Sequence, residues 1–132
     1  MSKLITRAEY EANRPKHQSV FIRKILSVLA VFAMPNSLRI VFYRAMGIKI
    51  GRGVFIGKYC IIEDNFPELI TIEDGVQISS GTIIFVHDSS SPQVLVGPVV
   101  IKKGAYLGAG SIILAGVTIA EKAIVGAGAV VT

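Results

Sequence analysis

From Ile50 onward a large aliphatic side chain returns every sixth residue: Ile50, Ile56, Ile62, then Ile72, Ile78, Ile84, then Ile101, Leu107, Ile113, Ile119, Val125 and Val131. The rhythm breaks only between Ile62 and Ile72 and between Ile84 and Ile101. Two positions earlier stands a small or β-branched residue such as Cys60, Thr82, Ala105, Ser111 or Ala123, and glycine follows the aliphatic at 51, 57, 108 and 126. A period of six fits neither a helical face nor the alternation of an ordinary strand. It predicts one short strand and one turn per hexad, with three hexads closing a triangular coil of roughly 18 residues that points its aliphatic side chains inward. Glycine is expected where the turn needs backbone angles that a Cβ opposes. The spacing predicts an all-β repeat, a parallel β-helix of about four coils (48–65, 70–88, 99–116 and 117–132), with residues 66–69 and 89–98 leaving the corners as loops.

Before Gly47 the pattern is helical. Residues 20–34 are almost continuously apolar, broken by Arg23 and Lys24, and Pro35 ends the run because proline disfavours helical geometry in the residue before it. Asn36 or Ser37 is expected to cap a second helix through its side-chain oxygen, with Leu38, Val41, Phe42 and Ala45 as its apolar face and Gly47 as its C-cap. The chain thus divides into an N-terminal helical segment, 1–47, and a repeat domain, 48–132. The stretch from Ile25 to Met34 is shorter than the roughly 20 apolar residues of a membrane span. Two readings remain: a helix covering one end of the coil, or one lying on an anionic membrane surface. Charge bears on the choice. Residues 1–52 hold ten Lys/Arg against Glu9 and Glu11, whereas residues 53–132 hold four Lys against seven acids.

At 132 residues, 52% apolar and 17% charged, the chain is one domain and not a disordered segment. Its single cysteine, Cys60, excludes an intrachain disulfide and a cysteine-based zinc site, and it stands at an inward repeat position that suits a buried thiol better than a nucleophile. His17 and His87 lack metal-ligand spacing, so no metal is expected. The basic residues are not interleaved with stacking aromatics, which argues against nucleic acid as a partner. The Met1–Leu4 start has no signal-peptide character. The expected location is therefore cytoplasmic, on the cytoplasmic face of a membrane in the lipid-surface reading.

The stretch from Val99 to Ile119, the stretch from Val125 to Thr132, and the Arg44-Ala45-Met46-Gly47-Ile48-Lys49-Ile50-Gly51 entry resemble the hexapeptide-repeat acyltransferases. The similarity is greatest to the sugar O-acetyltransferase branch, which includes maltose, galactoside, nodulation-factor and colanic-acid acetyltransferases. The resemblance implies a left-handed β-helix, a homotrimer with active sites between subunits, acetyl-CoA as donor and a saccharide hydroxyl as acceptor. Taken alone, His87 reads as a structural histidine. The resemblance makes it the catalytic base, because the family's histidine lies just before a loop that leaves the coil, as His87 does before Ser89-Ser90-Ser91-Pro92-Gln93. Imidazole titrates near neutrality, so it can take a proton from the attacking hydroxyl and return it to the leaving thiolate. Backbone N–H groups along the coil edge would serve the oxyanion.

Asp88 is a candidate to orient the ring. The family motif also places Tyr106, Gly108, Ala109, Gly126, Ala127 and Thr132 along the coenzyme groove, with Lys102 and Lys103 candidates for its phosphates. Tyr106 stands where the family often has tryptophan, and Lys58 and Tyr59 stand where some members carry an acceptor-contacting asparagine. Members normally continue past the position of Thr132 through an Asn-Pro-Ala segment that contacts the coenzyme. That difference implies a fragment or a shortened, catalytically weak member, and a trimeric scaffold without catalysis is the alternative function. A carbonic anhydrase on the same coil would need three histidines per metal site.

Overall fold

The computed structural model describes residues 4–16 and 18–132; His17 lies outside them. Twelve two- or three-residue strands stack into three parallel four-stranded sheets, the faces of a left-handed β-helix. The first face holds Lys49–Ile50, Ile70–Ile72, Val99–Ile101 and Thr118–Ile119. The second holds Phe55–Ile56, Gln77–Ile78, Tyr106–Leu107 and Ile124–Val125. The third holds Ile61–Ile62, Ile83–Ile84, Ile112–Ile113 and Val130–Val131. The register pairs Ile50 with Ile72, Ile72 with Ile101 and Ile101 with Ile119. Ile56, Ile78, Leu107 and Val125 align likewise, as do Ile62, Ile84, Ile113 and Val131. The six-residue rhythm therefore becomes three aliphatic ladders along one axis, and the four coils fall where the spacing predicts them.

Glycine does two jobs, and the expected one belongs to other residues. At Gly108 a Cβ would stand 2.4 Å from the Ala127 backbone nitrogen. That position is reserved for close approach of the next coil, not for an unusual φ. The left-handed angles recur three residues before the aliphatic, and Tyr59 (φ 59°) and Lys122 (φ 58°) occupy that place without being glycine.

The helical segment also departs from its pattern. Three helices form, α1 (Arg7–Ala12), α2 (Val20–Phe32) and α3 (Asn36–Met46). Pro35, not Asn36 or Ser37, is the N-cap of α3, and it makes no side-chain cap bond. Asn36 instead accepts the Ile56 N–H (2.8 Å) and donates to the Val54 carbonyl (3.1 Å), tying the helix to the first coil. The face of α3 that packs inward is Arg39, Ile40, Tyr43 and Met46, while Leu38, Val41 and Ala45 are exposed. Arg39 decides this orientation. Its guanidinium donates to the carbonyls of Ile56 (2.7 Å) and Ala33 (2.8 Å), satisfying backbone acceptors at the end of the stack. Gly47 ends α3 in the left-handed conformation, as its position predicts.

Residues 89–98 are not a plain loop. His87–Asp88 and Leu95–Val96 pair antiparallel as a hairpin, and Ile5–Thr6 adds a third antiparallel strand. Thr6 then starts α1 with a reciprocal capping box to Glu9. The 66–69 corner is gripped by the same N-terminal arm. Arg14 pairs with Glu68 (2.6 Å), the Tyr10 hydroxyl donates to Glu68 (2.7 Å), and the Arg14 guanidinium lies 4.8 Å from the centre of the Phe66 ring.

Burial works against ionisation of Glu68, but hydrogen bonds from Arg14 and Tyr10 outweigh it and hold the carboxyl below the usual range. A carboxyl depressed in the folded state stabilises above its ordinary pKa, and that contribution fades as pH falls through the depressed value. Glu68→Gln is therefore expected to cost about 1–2 kcal/mol at pH 7. The gap from the parent should close on acidification, as read from thermal melts between neutral and acidic pH; a gap that persists at low pH would remove this account.

Candidate active site

The hairpin sets His87 at the rim of the third face. Its side chain is 29% exposed and lines a cleft of about 540 Å³ with Leu4, Phe85, Asp88, Ser89, Ser90, Leu114, Ala115 and Thr132. Phe85 meets the imidazole edge-on at 5.9 Å between ring centres. The ring's Nδ1 hydrogen-bonds to Oε2 of Glu63, a side chain only 2% exposed, whose Oε1 accepts the Asn65 N–H. With both carboxylate oxygens accepting, the proton of a neutral imidazole sits on Nδ1, and Nε2 keeps the lone pair.

The expected orienting residue, Asp88, is not the one on Nδ1. Its Oδ1 accepts the Ser90 N–H (2.8 Å), and the bonds from Ser90 hold its carboxyl below the usual range. Asp88 shapes the turn beside the cleft, while Glu63 holds the ring. The reason is geometric. Neighbours on a strand point to opposite sides, whereas Glu63 reaches the ring from the adjacent coil. The register could have revealed it: Ile62 pairs with Ile84, so one position past Ile62 and three past Ile84 share a corner.

The six coenzyme candidates separate within one chain. Thr132 lines the His87 cleft and a second cleft of about 720 Å³ that shares Leu4 and Ala115 and runs along Val100, Lys102, Gly116, Val117, Thr118 and Val131. Gly108, Ala109, Gly126 and Ala127 lie at the corner between the second and third faces, on the far edge of the third face from His87. Tyr106 points outward from the second face, where its hydroxyl accepts from Ser79 Oγ at 3.0 Å. Lys102 borders the second cleft; Lys103 lies elsewhere, its N–H on Glu73. Cys60 is fully buried, burial pushes its thiol pKa up, and Sγ donates to the Ser79 carbonyl. A protonated, enclosed thiol is no nucleophile.

Residues 98–132 match the bacterial transferase hexapeptide family (six repeats), and residues 47–85 match the hexapeptide repeat of succinyl-transferase. Together the two matches span more than half of the chain. A comparison with curated proteins returned no match. Among solved structures, the chain is similar to a hexapeptide-repeat acetyltransferase of Vibrio cholerae complexed with acetyl coenzyme A (24% identity, TM-score 0.68, covering 96% of this chain and 79% of that one). It is also similar to a maltose O-acetyltransferase from Clostridium difficile (22%, TM-score 0.54, 83% and 73%). A third is a mutant N-acyltransferase from Bacillus cereus in complex with dTDP and coenzyme A (29%, TM-score 0.51, 65% and 63%). These relatives acylate different acceptor classes, so the likeness bears on the shared coil and not on one branch.

Proposed function

We propose, for a chain that belongs to the hexapeptide-repeat acyltransferase superfamily, that it transfers an acetyl group from acetyl-CoA to a saccharide hydroxyl with His87 as general base. The observation that carries this reading is the Glu63–His87 pair at the mouth of a cleft. A histidine serving only the fold would have no need of a buried carboxylate that fixes its tautomer toward open space.

The two joined clefts suit the donor. Ala115, Gly116 and Thr118 keep the coil edge low enough for a narrow arm, and Lys102 offers a cation for phosphate. Acetyl-CoA bound there supplies the acyl group as an activated thioester. Nε2 of His87 accepts the hydroxyl proton as the acceptor oxygen attacks the carbonyl carbon. Glu63 stabilises the imidazolium through Nδ1, and the proton then passes to the departing thiolate sulfur. A saccharide acceptor is favoured because sugar acetyltransferases share this fold, and the polar residues Ser89 and Ser90 line the same cleft as His87.

A homotrimer is part of the reading. Phe55, Tyr106 and Ile124 on the second face and Ile61 and Val130 on the third point outward and exposed, an apolar side for neighbouring prisms. Such packing would bring the Gly108 and Gly126 corner of one subunit to the groove of another.

The test is acetyl transfer to a panel of sugars and amino sugars, with coenzyme A binding measured by calorimetry and mass by light scattering. Saturable coenzyme binding with acetylation at oxygen is expected. Acetylation at nitrogen would move the chain to the N-acyltransferase branch, and absence of coenzyme binding would leave the scaffold reading. Glu63→Gln is expected to lower kcat by about 100-fold or more, with coenzyme A affinity unchanged, because the amide can favour the wrong tautomer. Glu63→Asp should recover part of the rate. A parental rate in Glu63→Gln would dismiss Glu63 as the positioning residue.

A further inference from the structure

The helix α2 is apolar on a side that none of the described residues covers. At 100° per residue, Phe21, Ile25, Val28 and Phe32 form one stripe, and Arg23 and Ala30 form the stripe diametrically opposite. The inner stripe is buried, Arg23 at 1% and Ala30 at 0% exposure. The outer stripe is open to solvent, with Phe21 at 72%, Val28 at 60% and Phe32 at 67%. Val41 of the neighbouring α3 is exposed as well. Contiguous apolar surface of this kind marks a place where something binds.

Charge says what. Residues 13–62 contain nine Lys and Arg and no Asp or Glu. Several of these cations serve the fold. Arg14 holds Glu68, Arg39 and Arg44 donate to backbone carbonyls, and Arg23 is buried, where desolvation lowers its pKa. Arg23 thus faces inward and is not a headgroup contact. The outward cations stand toward both ends of the apolar stripe. Lys16 precedes α2 and is exposed. Lys24 lies beside the stripe, with Asp64 at 2.8 Å. Lys58 adjoins Tyr59, whose ring packs 6.1 Å from that of Phe32 at the other end. Among the described residues no helix is long and apolar enough to cross a membrane. A 13-residue helix with one open apolar face, flanked by exposed Lys16 and by Lys58 and carrying Lys24 paired with Asp64, fits the geometry of lying in an anionic interface.

We propose that the outer face of α2, with the exposed side of α3, docks on an anionic lipid surface. A peripheral helix buries its apolar side chains at the headgroup–acyl boundary, while lysines at its ends gain about fivefold each from the negative surface. Docking is independent of acetyl transfer.

The test is flotation of the full chain with vesicles of phosphatidylcholine mixed with phosphatidylglycerol, and with phosphatidylcholine alone. The parent is expected to float with the anionic vesicles and at least about tenfold less with the neutral ones. The variant Phe21→Ser/Val28→Ser/Phe32→Ser alters only exposed positions and should lose flotation while keeping the parent's melting curve and its mass in solution. Three results would overturn the proposal: no flotation of the parent, equal flotation of the variant, or equal binding to neutral vesicles. A drop in the variant's mass without vesicles would show that a second copy of the chain covers this face instead, and would overturn it too.

Discussion

His87→Ala is expected to lower kcat for acetyl transfer by about 10²–10⁴-fold, the range in which a positioned general base contributes. Coenzyme A binding should be unchanged, because His87 lines the first cleft as one residue among several and does not line the second, where Lys102 and the coil edge suit the donor. The measurement is thiol release at saturating acetyl-CoA and acceptor, set beside a calorimetric titration of each protein. Removing the ring leaves an opening next to the buried Glu63 carboxylate. Added imidazole should therefore recover part of the rate in the alanine variant and do nothing for the parent. Equal turnover of parent and variant would end the assignment, and loss of rate together with loss of coenzyme binding would show a binding role in place of a base.

The second large effect is expected in the axis of the prism. Leu107 is fully buried in the third coil, paired with Ile78 on one side and Val125 on the other. Neighbouring coils are held at strand spacing by backbone hydrogen bonds, such as Gln77 N–H to the Ala105 carbonyl (3.0 Å) and Tyr106 N–H to the Ala123 carbonyl (2.9 Å). The walls therefore cannot close on a vacated side chain. Leu107→Ala should fall in the upper part of the range of about 2–5 kcal/mol for such truncations, a large share of the roughly 5–15 kcal/mol that holds a domain folded. Urea denaturation gives the value directly. A cost below about 1 kcal/mol would mean that the aliphatic ladder is not close-packed.

The coil was legible in the order of residues because a β-helix repeats one local rule. Each hexad must send one aliphatic side chain to the axis and then turn, so the period, the number of coils and the places where the chain leaves them follow from spacing alone. The histidine was not legible in that way: taken alone it reads as structural, and only the resemblance to the hexapeptide-repeat acyltransferases singles out His87 beside the departing loop. The helices obey no such repeat, and apolar content misled there. Leu38, Val41, Phe42 and Ala45 look like a core face, yet of these Phe42 alone packs partly against the core, and Arg39, Ile40, Tyr43 and Met46 are the buried side.

That inversion has a physical cause no window of sequence contains. The end of the stack presents carbonyls, including that of Ile56, that need donors, and an arginine can meet that need when a leucine cannot. The choice of Glu63 over Asp88 as the partner of His87 is of the same kind. Proximity along the chain favours Asp88, but one strand sends neighbouring side chains apart, while stacking brings a residue 24 positions earlier against the ring. The third strand at Ile5–Thr6 likewise forms because the Leu95–Val96 edge has unpaired backbone groups to satisfy. Order along the chain set everything that repeats with period six. Which polar groups meet across coils and at the end of the stack was settled when the coils closed, because those partners are distant in sequence and are chosen by the hydrogen bonds that folding leaves to be made.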